Sequence, residues 1–411
     1  MNRQAMFLIA IVLLALNLRP AMAGLGPVLD LIEATTGMTS AEAGMLTTLP
    51  VFLMGVGAFG GRYIRLLIGT RNGITLAITL IALACAGRLV WGSWPGMITT
   101  AAVAGLGIAA VQALVPGEIK GRFGNQTGQV MGLYTTGIMA GAAFAAAMAA
   151  GLANHFGWQV SLAIWAIPAM AATVIWLIQP AATEQPATIQ TAASPSFFRI
   201  GRAWLLMVFF GVGTGAYTLV LAWLPPFYME LGQSRAVSGY LLAGLTMTEV
   251  VAGLTVSALI GRFPDRRGPL LAMLLCLLTG LICLIFAPGA LAIPAVILLG
   301  IGIGALFPLS LIVALDHVDD PVRAGELASF VQGGGYMIAS TMPFLAGIIR
   351  DRFTDLSQAW VIMAAGTVLL FILALRFSPE SCRIGRPDGV SSFRSPEADT
   401  DYSERTAISK T

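Results

Sequence analysis

Three ionisable side chains stand inside long apolar runs of this chain: Arg19, Arg88 and Glu249. A charge at the centre of a membrane-length helix costs about 2.5 to 3.5 kcal/mol on insertion scales, so one that is kept usually faces an interior with a partner. Arg19 lies about thirteen residues into its run, close to mid-membrane and too deep for easy snorkelling. Its guanidinium stays protonated and offers a planar fork of donors, which suits a small planar anion or a nitro group. The alternative is a structural ion pair or a carbonyl tie between helices. Arg88, about four residues from the end of its run, can reach the interface; it reads as a binding group, as an attractor of anions, or as an interhelical tie. Glu249 is the one carboxylate well inside an apolar run. Burial and a nearby arginine act on a carboxyl's proton affinity in opposite directions, a balance suited to carrying a proton. A structural glutamate, neutral or paired with arginine, is the other reading.

The elements that must hold these groups are spans. A hydrocarbon core of roughly 30 Å needs about 20 apolar residues per helix, and twelve such stretches run from Met6 to Phe377, near 6–27, 41–60, 73–92, 95–115, 127–150, 158–179, 203–228, 236–260, 269–288, 291–312, 325–347 and 356–377. The composition agrees: 57% of residues are hydrophobic and 10% charged, against about 25% charged in soluble domains. The first run carries Asn17, Arg19 and Pro20 where a signal peptide would carry a small-residue cleavage site, and it reads as mature structure.

Lys and Arg set the orientation. With the N-terminus inside, eighteen of the twenty-three cations fall in cytoplasmic segments, and only Arg235, Arg350 and Arg352 fall on the opposite side. By the positive-inside rule both termini are cytoplasmic. Residues 180–202, rich in Pro, Ala, Thr, Gln and Ser, read as a cytoplasmic linker between bundles at 1–179 and 203–377. Residues 378–411 read as a disordered cytoplasmic tail.

The halves echo one another. Gly61-Arg62-Tyr63-Ile64-Arg65 returns as Gly261-Arg262-Phe263-Pro264-Asp265-Arg266-Arg267-Gly268, Gly105-Leu106-Gly107-Ile108 as Gly300-Ile301-Gly302-Ile303-Gly304, and Gly128 as Gly325. Two parallel six-span repeats place a substrate site near the midplane between them. The expected fold is an all-α membrane protein with twelve transmembrane helices in two pseudo-symmetric six-helix bundles.

Over its whole length to about Phe377 the chain resembles the major facilitator superfamily. Leu16-Asn17-Leu18-Arg19-Pro20, Leu46-Thr47-Thr48-Leu49-Pro50, Trp223-Leu224-Pro225 with Phe227-Tyr228, and Phe307-Pro308-Leu309 through Ala314-Leu315-Asp316-His317 resemble its cyanate porter and 2-nitroimidazole transporter family. The resemblance places Arg19 where an anion-like substrate is expected. It puts Asn17, Gln112, Tyr134, Tyr217, Trp223 and Gln332 on spans that line the central path, where neutral donors orient a ligand and aromatic rings wall it. Packing or interhelical hydrogen bonding is the competing role of each. It also implies a gating turn after spans two and eight. The first-half copy, Gly61 to Arg71, lacks the acidic residue of that motif, so gating falls to Asp265, Arg266 and Arg267, unless these are topology charges alone.

The function implied is a secondary transporter in the bacterial inner membrane, moving a small anion or polar molecule, cyanate-like or nitroimidazole-like, by alternating access with possible proton coupling. A non-cycling channel or a transporter-like sensor is the alternative. An enzyme is not expected, since Glu249 has no nucleophile or metal partner in view. No phosphate-binding loop, nucleophile elbow or nucleic-acid face is present in the sequence. His155, His317 and the cysteines, Cys85, Cys276, Cys283 and Cys382, show no metal-ligand spacing. No cofactor or metal is expected, the bilayer is the other partner, and one copy suffices.

Overall fold

The computed structural model describes residues 3–123, 127–179, 197–318, 321–353 and 355–377. The expected linker falls largely on 180–196 and the expected tail on 378–411, both outside the described residues. Among the described residues every regular element is helical: α1 Arg3–Leu16, α2 Pro20–Ala23, α3 Leu29–Thr36, α4 Ser40–Ile68, α5 Thr70–Gly87, α6 Trp94–Phe123, α7 Thr127–Phe156, α8 Trp158–Ala163, α9 Ala166–Ile178, α10 Gly201–Glu230, α11 Arg235–Leu259, α12 Arg267–Phe286, α13 Ala292–Leu315, α14 Pro321–Phe353 and α15 Ser357–Leu375. Among the described residues eleven stretches are long and apolar enough to cross a bilayer. The twelfth crossing, α14, has 33 residues. It is the least apolar, with Arg323, Glu326, Arg350, Asp351 and Arg352 in its sequence, and it packs against α4 and α10. The result is the twelve-helix architecture of two six-helix bundles.

The first crossing departs from the continuous run read from its hydropathy. Proline lacks an N–H and its ring clashes with the carbonyl four residues earlier, so a helix cannot pass through it undisturbed. Here α1 stops at Leu16 and the chain restarts at Pro20 in α2, passes through a 3₁₀ turn at Gly26–Val28, and ends in α3. The crossing therefore extends to Thr36 rather than ending near residue 27. The Leu16 carbonyl lies against Gly141 of α7, where any β-carbon would overlap it.

Glycine sets the contact between halves. A β-carbon on Gly55 of α4 would lie 2.6 Å from the Gly333 carbonyl of α14, and one on Gly239 of α11 would lie 2.6 Å from the Ala146 carbonyl of α7. Small residues of this kind let helix backbones meet where burial against lipid supplies no drive.

An even number of crossings puts Arg3 and Phe377 at one face, here the terminal face. The other, distal face is tied across the halves. Arg350 of α14 donates Nη1 to Glu33 of α3 at 2.8 Å and Nε to Glu230 of α10 at 2.6 Å. Arg235 of α11 holds Asp30 of α3 at 2.7 Å. The two Asp351 carboxylate oxygens each accept from the α4 N-terminus, from Ser40 N and Ala41 N at 2.8 Å. A carboxylate satisfies orphan N–H groups there and meets the positive end of the helix dipole. Within its own half α4 is also closed by a capping box between Thr39 and Glu42.

These ties hold the distal face shut. Half-buried pairs of this kind are worth up to about 1 kcal/mol each, enough to move a two-state population roughly fivefold. Spin labels at the exposed positions Ala34 and Gln233 should therefore show a larger share of long distances in Arg350→Ala than in the unaltered chain; an unchanged distribution would remove Arg350 from the closure.

Candidate functional site

Between the bundles lies a chamber of about 470 Å³ that runs from Arg19 towards Pro116, Met131, Ser257 and Leu311 near the terminal face. Its walls are mostly apolar, with aromatic side chains from Phe209, Phe210 and Phe307. Polar groups converge on it from both halves: Arg19, Gln112 and Tyr134 from the first, Tyr217, Glu249, Gln332 and Tyr336 from the second.

Arg19 reaches the chamber because it sits in the interruption between α1 and α2. It is 5% exposed. Its Nη1 lies 3.8 Å from the Met54 sulfur, its guanidinium lies 5.3 Å from the centre of the Tyr217 ring, and Tyr336 is a hydrogen-bonding neighbour. Its Nε has no protein partner among the described residues. The same holds for the Tyr134 and Tyr217 hydroxyls and for both carboxylate oxygens of Glu249. Glu249 is 3% exposed and feels the charge of Arg19 without forming a direct ion pair. Buried polar groups are normally hydrogen-bonded. Here one guanidinium nitrogen, two hydroxyls and both oxygens of one carboxyl lack a protein partner around a single chamber.

Asn17, Arg88 and Trp223 do not line that chamber. Asn17 donates to the Leu13 carbonyl at 2.7 Å and the Pro168 carbonyl at 3.3 Å. Arg88, 1% exposed, donates Nη1 to the Ala21 carbonyl at 2.8 Å. The two pin the chain on either side of Arg19, one to α9 and one to α5, and so hold the interruption that presents the guanidinium. Trp223 donates Nε1 to the Pro343 carbonyl at 2.8 Å, and Arg350 sits 5.4 Å from its ring centre. It belongs to the distal closure.

Tyr336 was not singled out in the sequence. The signal was there: it follows Gln332 by four residues, one helical turn, on the same face, but the Gly333-Gly334-Gly335 run between them reads as packing. Gly334 and Gly335 do pack tightly, against Met207 and Phe210 of α10.

At the terminal face the turn after α11 is held by charge pairs. Arg267 pairs with Asp265 at 2.7 Å, and Arg266 pairs with Asp316, beyond α13, at 2.9 Å and donates to the Ile260 carbonyl at 2.6 Å. Hydrogen bonds from Arg267 hold the Asp265 carboxyl below its ordinary range. The contribution of that pair is complete above the ordinary carboxylate range and is lost only as pH falls through the lowered value. The turn thus ties α11, α12 and α13 together. In the first half, Arg71 donates to the Leu177 carbonyl at 2.7 Å, a bond within its own bundle.

Fold and site define a polytopic membrane protein with a central chamber between two bundles. Residues 6–340 match the family model of the Major Facilitator Superfamily, and the chain belongs to that superfamily of membrane transporters. Within it the chain groups with the cyanate and 2-nitroimidazole transporters. It is 36% identical to a cyanate transport protein of Escherichia coli (strain K12), over 90% of this chain and 97% of the relative. It is 30% identical to a 2-nitroimidazole transporter of the same organism, over 89% and 93%. Among solved structures, the fold is similar to a D-xylose–proton symporter, with a TM-score of 0.78, 13% identity, and 92% of this chain and 99% of that one covered. An inward-open xylose transporter of E. coli superposes with a TM-score of 0.71 at 13% identity, covering 92% and 98%.

The unpaired carboxylate generates a stability prediction. A buried polar group without a partner costs about 1–3 kcal/mol, and an apolar residue of similar volume removes that cost. Purified Glu249→Leu should therefore melt at the same temperature as the unaltered chain or higher; a clear fall in melting temperature would show that the carboxyl is a structural partner.

Proposed function

We propose that the chain is a secondary transporter that carries a small anion or small planar polar molecule by alternating access, with Arg19 as the binding group and Glu249 as the carrier of a coupled proton. The observation that carries this reading is the chamber itself. It brings a guanidinium with one unpaired nitrogen and a carboxyl with no partner into one space, reaches towards one face, and is shut from the other by ion pairs that join the halves. The terminal face, which holds the cationic turns, is then the cytoplasmic side of a bacterial inner membrane. Rocking of the halves would break the distal ties and open the chamber outwards, while Asp265, Arg266 and Arg267 hold the α11–α12 turn on the inner side. The relatives named for cyanate and 2-nitroimidazole supply the first two substrates to test.

Reconstituted vesicles test the reading. A carrier speeds uptake of labelled substrate when the opposite side is loaded, whereas a pore or a sensor does not. Arg19→Lys should lose transport nearly as fully as Arg19→Ala, by about tenfold or more, because an ammonium keeps the charge but loses the two-pronged planar geometry and with it a charge-assisted bond of about 1.5–3 kcal/mol. Near-normal uptake by the lysine variant would reduce Arg19 to a point charge, and normal uptake by the alanine variant would move the site elsewhere.

Glu249→Gln separates coupling from binding. The amide keeps the shape and an acceptor oxygen but takes no proton. Accumulation driven by a pH gradient should vanish while counterflow survives; undiminished pH-driven accumulation would take Glu249 out of the coupling step.

A further inference from the structure

Resting on the reading of the chamber as the transport site, we propose that the site selects a planar molecule with two poles: a nitro or carboxylate group for Arg19 and, at its other end, an N–H donor for Glu249. The inference comes from the chemistry left unsatisfied by protein. At one pole are donors, the Arg19 Nε and the Tyr134 and Tyr217 hydroxyls; at the other are the two Glu249 oxygens, acceptors when ionised. All line the same chamber.

A bare anion answers only the first pole. It brings no hydrogen to the Glu249 oxygens, which stay without a partner. A molecule with an acceptor at one end and an N–H at the other answers both. Phe210, Phe307 and Tyr336 in the walls favour a flat ring between the poles, since aromatic faces stack on one another.

A site with a buried acceptor rejects an isostere that lacks the matching donor far more strongly than it rejects a change of one methylene, because the acceptor is then left unpaired. Pyrrole-3-carboxylate and furan-3-carboxylate provide that comparison. They share size, shape and carboxylate, and differ by a ring N–H against a ring oxygen whose lone pair faces the glutamate.

Binding is read by tryptophan fluorescence on the purified full chain, with 1-methylpyrrole-3-carboxylate as a third ligand. The pyrrole should bind about tenfold or more tightly than the furan and than the N-methyl compound. In Glu249→Leu, whose folding is checked by its melting temperature, the pyrrole should weaken to the level of the furan. Glu249→Gln, which keeps an acceptor oxygen, should retain part of the preference. Equal affinities for pyrrole and furan in the unaltered chain, both lost in Arg19→Ala, would overturn the two-pole assignment and leave the anion site standing. A preference that persists undiminished in Glu249→Leu would overturn it as well. Failure of these ligands and of cyanate to bind, with Arg19→Ala indistinguishable from the unaltered chain, would overturn the chamber reading together with the proposal.

Discussion

The constraint on which the rest of this structure depends is a guanidinium held at mid-membrane without a carboxylate bonded to it. Guanidinium does not escape its burial cost by losing its proton, so the surroundings must supply partners. They do so incompletely: a thioether, an aromatic face and a tyrosine neighbour meet Arg19, and Nε is left over. Getting the charge there needs a break in the first crossing. Pro20 makes it, and Asn17 and Arg88 spend their hydrogen bonds on backbone carbonyls at either side of it. Arg88 is thus a buried cation that bonds to the backbone scaffold of another. The glycine at 141 accommodates the carbonyl that the proline displaces.

Arg19 and Glu249 also explain why the halves need a separate lock. Were the two bonded to each other, the pair would stitch the bundles together at the midplane and resist rocking. They are held apart instead, and the charge pairing between halves is placed at the distal face, among groups 16 to 33% exposed on their side chains. Water competes for such pairs, so they form and break at small cost. Glycines at 55, 333 and 239 bring the backbones of the two halves close, with Phe59 and Met337 packed on them from the opposite half. In the proposed cycle, strength is placed where it can be released, and closeness where it can slide.

Much of this was legible in the sequence because membrane burial writes itself into hydropathy. The crossings, their number and the family follow from apolar runs and a few short strings. Six of the polar residues singled out, Arg19, Gln112, Tyr134, Tyr217, Glu249 and Gln332, line one chamber, since an ionisable or polar group deep in a span has few other places to go. What the sequence concealed depends on direction around a helix. Trp223 stands on a lining helix but turns to Pro343 and the distal lock, Asn17 and Arg88 turn to carbonyls, and Tyr336 hides behind a glycine run.

On the proposed reading, polar atoms left unpaired around the chamber are what allows a guest to be bound there at moderate affinity. A site fully satisfied by its own side chains would be more stable and would gain nothing from a ligand, because each new hydrogen bond would replace one already made. A site that met its guest with every group rigidly in place would bind it too tightly to release on each cycle. Here the donors at one pole and the acceptors at the other are carried by different halves for the most part: Arg19 and Tyr134 by the first, Tyr217 and Glu249 by the second. A guest that touches both poles is therefore bound best when the halves stand at one spacing and less well when they move apart. In the proposed cycle, occupancy is coupled to the arrangement of the bundles through the same few atoms that would recognise the substrate.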